Sequence, residues 1–209
     1  MAKQAEIVSL LGRRLLPELK RRFGYDGDVR AATGPETDSP AVRIVQVALW
    51  PSGGPGVRIE VPVEITRIPC RDPLAVRTAD GVVYPTRSDA DLVESKVIAI
   101  FNRHYIEYRD VVDLFLFSGH LLPDSAERLQ NKLAALALDR ETVQRILRDL
   151  DRYPDHHVRG IAAVIGDQLE PDAAANIEAA GGARLVLETV RNLLLTGLGL
   201  GEERGHEGA

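Results

Sequence analysis

A single cysteine, Cys70, occurs in 209 residues. One thiol excludes an intramolecular disulfide framework and a cysteine-based zinc site, and it suits a reducing cytosol. No run of about eighteen or more apolar residues is present, and the start, Met-Ala-Lys-Gln-Ala-Glu, lacks the apolar core of a signal peptide. The expectation is therefore a cytoplasmic protein with no membrane partner. Positive charge is not in excess: the formal net charge is −5 and the pI about 5.6. This gives no global electrostatic case for nucleic acid, although a local basic groove stays open. Sustained heptads, internal repeats and low-complexity blocks are also missing, which excludes a long coiled coil.

What remains is a globular composition, 44% hydrophobic and 27% charged, in a chain long enough for one large domain or two small ones. Over 4–23, Ile7, Val8, Leu10, Leu11, Leu15, Leu16 and Leu19 recur at helical spacing, with a kink at Pro17 and a stop at Gly24. Its basic residues, Arg13-Arg14 and Lys20-Arg21-Arg22, read as a solvated face that suits the helix dipole, with contact to phosphate as the alternative. The stretch 26–40, rich in Gly, Asp, Thr, Ser and Pro, reads as a loop. Strands are predicted over 42–50 and 57–66, joined by a wide Pro-Ser-Gly-Gly-Pro-Gly turn. That turn is not a phosphate loop, because no Lys-Ser/Thr and no helix follow it. In the second strand Ile59, Val61, Val63 and Ile65 alternate with Arg58, Glu60, Pro62 and Glu64, the pattern of a half-buried strand. A short hairpin follows, 74–78 and 82–84 about Ala79-Asp80-Gly81. Beyond Gly119 the spacing predicts only helices: 124–138, 141–153 capped by Asp139 and broken by Pro154, 157–169, 171–180 and 183–198. His156-His157 has no second ligand pair at metal spacing and reads as a loop or cap.

The stretch 94–117 is where charge stays on the apolar face. A helix over 89–103 starts at Ser88, with Asp91 three residues on as the acid of a capping box. At about 100° per residue, Leu92, Val93, Val97 and Ile100 share one arc, and Asp91, Glu94, Ser95 and Asn102 lie opposite. Lys96 and Arg103 fall inside the apolar arc. The next helix, 106–118, is apolar nearly all round and so should be buried, yet it holds Arg109, Asp110 and Asp113. Buried carboxylates are costly without a cation. If the two helices form a hairpin through His104-Tyr105, cations of the first meet carboxylates of the second in the seam. Such a seam is either a structural ion-pair network or a site.

The arrangement Glu-x-Lys-x-x-Ala-x-x-x-Arg over 94–103, then Arg-Asp-x-x-Asp-Leu over 109–114, resembles the last two motifs of the AbiEii-type nucleotidyltransferases. These are the toxin half of an abortive-infection toxin–antitoxin pair. The resemblance implies that Lys96 binds substrate through triphosphate oxygens and that Asp110 is an essential polar residue, orienting Lys96 or the acceptor hydroxyl. Arg103, Arg109 and Asp113 would then support them by fixing the seam. It also implies a metal-site carboxylate on a strand like 57–66: Glu60 or Glu64 qualifies, and Glu64, at the strand end, is preferred. The activity implied is transfer of a nucleoside monophosphate from an NTP to a hydroxyl of a tRNA or a protein, with Mg2+, releasing pyrophosphate. A cognate antitoxin is the implied protein partner. The family's first two motifs, a Gly-Gly-Thr or Gly-Ser turn and a metal-binding Asp-x-Asp pair, belong before a helix like 4–23. Asp26-Gly27-Asp28 and Asp89-Ala90-Asp91 match only the letters of the second. The missing parts would then come from a longer chain or another chain, or the protein is a non-catalytic binding subunit on the same scaffold.

The expected fold is α+β, a partial nucleotidyltransferase-like mixed sheet followed by a C-terminal helical bundle. Residues 1–87 form the α/β region, 88–200 the helical domain and 201–209 a disordered tail.

Overall fold

Alternating β-branched residues form the first sheet. In the computed structural model, which describes residues 2–31, 42–54, 56–66, 68–79, 81–103 and 105–200, β2 (Val42–Pro51) lies between β1 (Tyr25–Ala31) and β3 (Ile59–Thr66). Both pairings are antiparallel, Tyr25 opposite Pro51 through Ala31 opposite Val45, and Arg43 opposite Ile65 through Leu49 opposite Ile59. Val45, Val47, Ala48 and Ile65 are the buried residues of this sheet. Pro62 has no N–H to give, and β3 tolerates it because an edge strand leaves one side of its backbone unpaired.

The chain divides into two compact units, Met1–Ile68 and Pro69–Ala209. In the first, α1 (Ala2–Leu10) runs through a wide π-helical turn, Leu11–Leu15, into α2 (Leu16–Phe23). Pro17 stands in the first turn of α2. A proline ring clashes with the carbonyl four residues back, and a widened turn before it gives the backbone room. Gly24 ends α2 in the left-handed region, φ 68°, its N–H donating to the Lys20 carbonyl. The buried Gln4 Nε2 donates to the Ile65 carbonyl at 3.0 Å and so ties α1 to β3.

The loop expected over 26–40 is a strand as far as Ala31, and residues 32–40 lie outside the described part. Asp-Gly-Asp is turn chemistry, but backbone pairing with β2 wins over local preference. Gly27 belongs there for space. A Cβ on it would sit 2.7 Å from the Ala48 carbonyl oxygen and 3.0 Å from Leu16 Cδ2.

In the second unit a hairpin of β4 (Ala75–Ala79) and β5 (Val82–Thr86) precedes the helices. Compact packing thus groups this hairpin with the helices, whereas the boundary expected from sequence followed it. Every described strand pair is antiparallel, which corrects the mixed sheet; the α+β class and the order, sheet then bundle, are as expected. The helices are α3 (Asp89–Asn102), α4 (Tyr108–Phe117), α5 (Ser125–Ala135), α6 (Arg140–Arg152), α7 (Pro154–Gln168), α8 (Pro171–Ala180) and α9 (Gly182–Asn192). α6 ends before Pro154 as expected, and the proline also begins α7, three residues ahead of the expected start at 157, where its missing N–H has no helical partner to lose. Asp139 caps α6 as expected, accepting from the Thr142 N–H at 2.7 Å. At the core Val97, Ile98, Ile100, Val112, Leu114, Leu129, Ile161 and Val186 are almost wholly buried. α4 packs against α3, α7 and α9, while its last turn emerges, Leu116 and Phe117 being exposed. No helix among the described residues is long and apolar enough to cross a membrane. The tail 201–209 lies outside the described residues.

Candidate functional site

Lys96 and Arg103 stand seven positions apart on α3 and its end, and Asp110 and Asp113 three apart on α4. Each pair therefore shares one helix face. The faces meet. Lys96 Nζ lies 3.1 Å from Asp110 Oδ1 and 2.7 Å from Asp113 Oδ2, and Arg103 Nη1 lies 2.5 Å from Asp110 Oδ2. The expected seam of first-helix cations and second-helix carboxylates is thus present. Asp110 is its buried centre, with a side chain only 4% exposed, whereas Lys96 is 39% exposed. Burial works against the ammonium of Lys96, but the bonds from Asp113 and Asp110 outweigh it and hold the lysine above its ordinary range. Asp110 also sits in the first turn of α4, where the helix dipole favours an anion. Two cations against two carboxylates leave the seam neutral. The open side of Lys96 is where an anion could reach it, in competition with Asp113.

Arg109 is exposed and forms no ion pair among the described residues, because the helix turn that aims Asp110 at α3 aims its neighbour elsewhere. It does not fix the seam. Glu64 lies on an exposed part of β3 in the first unit, opposite Ile44, whereas the seam is built wholly from second-unit residues.

A second and deeper charge cluster was not foreseen. Asp91 and Glu94, assigned to the outward arc of α3, are fully buried. Lys132 Nζ reaches Asp91 Oδ1 at 2.5 Å and Glu94 Oε2 at 2.7 Å. The latter contact is an ion pair without hydrogen-bond direction, since Oε2 has no hydrogen-bond donor. Arg128 donates from Nε to Glu94 Oε1 at 2.7 Å and from Nη1 to Asp72 Oδ1 at 2.8 Å. Ser125 Oγ also donates to Glu94, at 2.9 Å. Asp91 further accepts from the backbone N–H of Arg71 and of Asp72, 3.0 Å each to Oδ2. The capping box therefore closes only by half. Ser88 Oγ accepts from the Asp91 N–H at 3.0 Å and donates to Asp72, and the Asp91 carboxylate turns inward instead. Arg128, then Ser88, hold the Asp72 carboxyl down at about 2. The signal for this cluster lay in α5, where Arg128 and Lys132 flank Leu129 and Leu133. Cations at helical spacing among buried leucines need buried carboxylates.

Among the described residues no group of three or more His, Cys, Asp or Glu side chains could hold a metal ion. The aspartates that spell the two Asp-x-Asp matches all meet cations: Asp26 with Lys20, Asp28 with Arg30, Asp89 with Arg77 and Asp91 with Lys132. Both oxygens of Asp110 are taken by cations as well. A magnesium ion does not fit this seam, because it would have to displace an ammonium or a guanidinium.

No protein-family model and no curated protein sequence matches the chain. Among solved structures it is similar to a candidate nucleotidyltransferase from H. pylori. The identity is 16% and the TM-score 0.44, over 91% of this chain and 76% of that one.

Proposed function

We propose that the chain is a nucleotidyltransferase of the AbiEii toxin type, or a part of one, in which Lys96 meets the phosphates of a nucleoside triphosphate. The observation that carries this reading is the bond between Lys96 and Asp110. A buried carboxylate holds the ammonium at 3.1 Å while its head stays 39% exposed. A lysine so held is oriented before the anion arrives, and orientation lowers the entropy lost on binding. Asp110 is then a positioning residue, and Arg103 on its other oxygen holds the carboxylate in place. The reaction proposed is transfer of a nucleoside monophosphate to a hydroxyl of a tRNA or a protein, with a cognate antitoxin as regulator. Phosphoryl transfer of this kind uses Mg2+ to neutralise charge. The seam does not fit that ion, and the proposed metal ligand is Glu64.

A second reading has its own observation. Every seam charge has an opposite partner within 3.1 Å, which is also the geometry of a structural network in a non-catalytic binding subunit. Calorimetry with NTP and magnesium separates the two, run on this chain, on Lys96→Ala and on a form extended upstream where the gene allows. The nucleotide reading expects saturable NTP binding that Lys96→Ala abolishes at near-native stability. No binding to any form, or binding indifferent to Lys96, leaves the structural reading standing.

A further inference from the structure

Only 5% of the chain is aromatic, with five tyrosines, and it has five histidines. Yet Tyr105, Tyr108, Tyr153, His156 and His157 line one cavity of about 700 Å3 in the second unit, together with Asp149 and Ile106. Its floor is rigid. The Tyr108 hydroxyl donates to His157 Nδ1 at 3.2 Å, and His157 Nε2–H donates to the Asp149 carbonyl at 3.1 Å. His157 is buried. Tyr108 packs so closely on α7 that a Cβ on Gly160 would lie 1.9 Å from its ring. The walls differ from the floor, since Tyr105 is 52% and Tyr153 47% exposed. Arg152 stands 5.2 Å above the Tyr153 ring. The volume suits a mononucleotide-sized ligand.

We propose that this cleft binds an unpaired nucleobase and its attached phosphate. Exposed tyrosines in the walls of a cleft serve as stacking platforms for a planar ring. A carboxylate at the wall, Asp149, accepts from the N–H groups on a base edge, and Arg152, which stands over the Tyr153 ring, meets phosphate. Base N–H donors and a phosphate occur together in nucleotides and not in an aromatic peptide side chain. The site goes beyond the triphosphate reading and does not need Lys96. Its ligand is either a free nucleotide or a base in a single-stranded RNA.

The test is calorimetric titration of the full chain with each of the four nucleoside monophosphates and with a short single-stranded RNA, beside Tyr153→Ala, Tyr153→Phe and Lys96→Ala. Tyr153→Ala should weaken binding about tenfold or more, and Tyr153→Phe, which keeps the ring, should restore it to within about twofold. Helical circular dichroism of Tyr153→Ala at the wild-type level makes that loss local. Binding at this cleft is identified by its dependence on Tyr153 and binding at the seam by its dependence on Lys96, so failure here is distinguishable from failure of the Lys96 assignment. Binding of monophosphates identifies a free nucleotide as ligand, and binding of RNA alone identifies a strand; both support the site. The proposal is overturned if neither ligand binds, or if Tyr153→Ala binds as the unmodified protein does.

Discussion

Two lysines on neighbouring helices show how burial decides what a charge does. Lys132 is 1% exposed between Asp91 and Glu94, which are equally buried, whereas Lys96 is 39% exposed and shares Asp110 with Arg103. Removing Lys132 leaves two buried carboxylates with Arg128 as their remaining cation, and Lys132→Ala should cost about 3–5 kcal/mol. Lys96→Ala leaves Arg103 on Asp110 and leaves only the part-exposed Asp113 without its cation, where water screens the lost pair; about 1 kcal/mol or less is expected. Urea midpoints of the two variants check this, and equal losses would show that the seam, not the deeper cluster, was misjudged. The Lys96 pairing was legible because alternative partners were few: cations stranded in an apolar arc needed the carboxylates of the next helix. The Asp91 and Glu94 pairing was not, because acids at the start of a helix are ordinary and their partners lie on α5, more than thirty positions along the chain.

At the scale of elements, α4 separates two kinds of chemistry. Asp110 and Asp113 face α3, and Tyr108 faces α7. The second contact depends on Gly160, where even a methyl group would overlap the Tyr108 ring. Gly160→Ala should therefore destabilise the second unit by about 1–3 kcal/mol through overpacking. The same variant should alter the near-ultraviolet signal of the tyrosines. An unchanged melting temperature would show that the ring moves aside freely. Helix starts and stops were legible wherever a cap or a left-handed glycine supplied the signal, as at Ser88, Asp139 and Gly24. β1 was hidden, since Tyr-Asp-Gly-Asp carries turn residues and becomes a strand only by pairing with β2. Pro154 marked the end of α6 but not the start of α7, because a proline that stops one helix can also open the next.

For the whole molecule, the chain divides into two compact units, each with buried residues of its own. The single tryptophan, Trp50, is in the first, and α3 to α9 are in the second. Trp50 fluorescence and helical circular dichroism thus report mainly on different units. Lys132→Ala should lower the midpoint seen by dichroism and leave that of Trp50 in place. A common shift of both would mean that the units unfold as one. The sequence by itself determined the α+β class, the order of sheet and bundle, and the helix pair that carries Lys96 and Asp110, because these follow from periodicity and from the cost of burying an unpaired charge nearby in the chain. Only the tertiary structure decided that Asp91 and Glu94 point inward to Arg128 and Lys132, that Arg109 stands outside the seam, and that three tyrosines and two histidines share one cleft. Such meetings depend on which helices become neighbours, and a local pattern fixes the face a residue occupies without fixing what that face will touch.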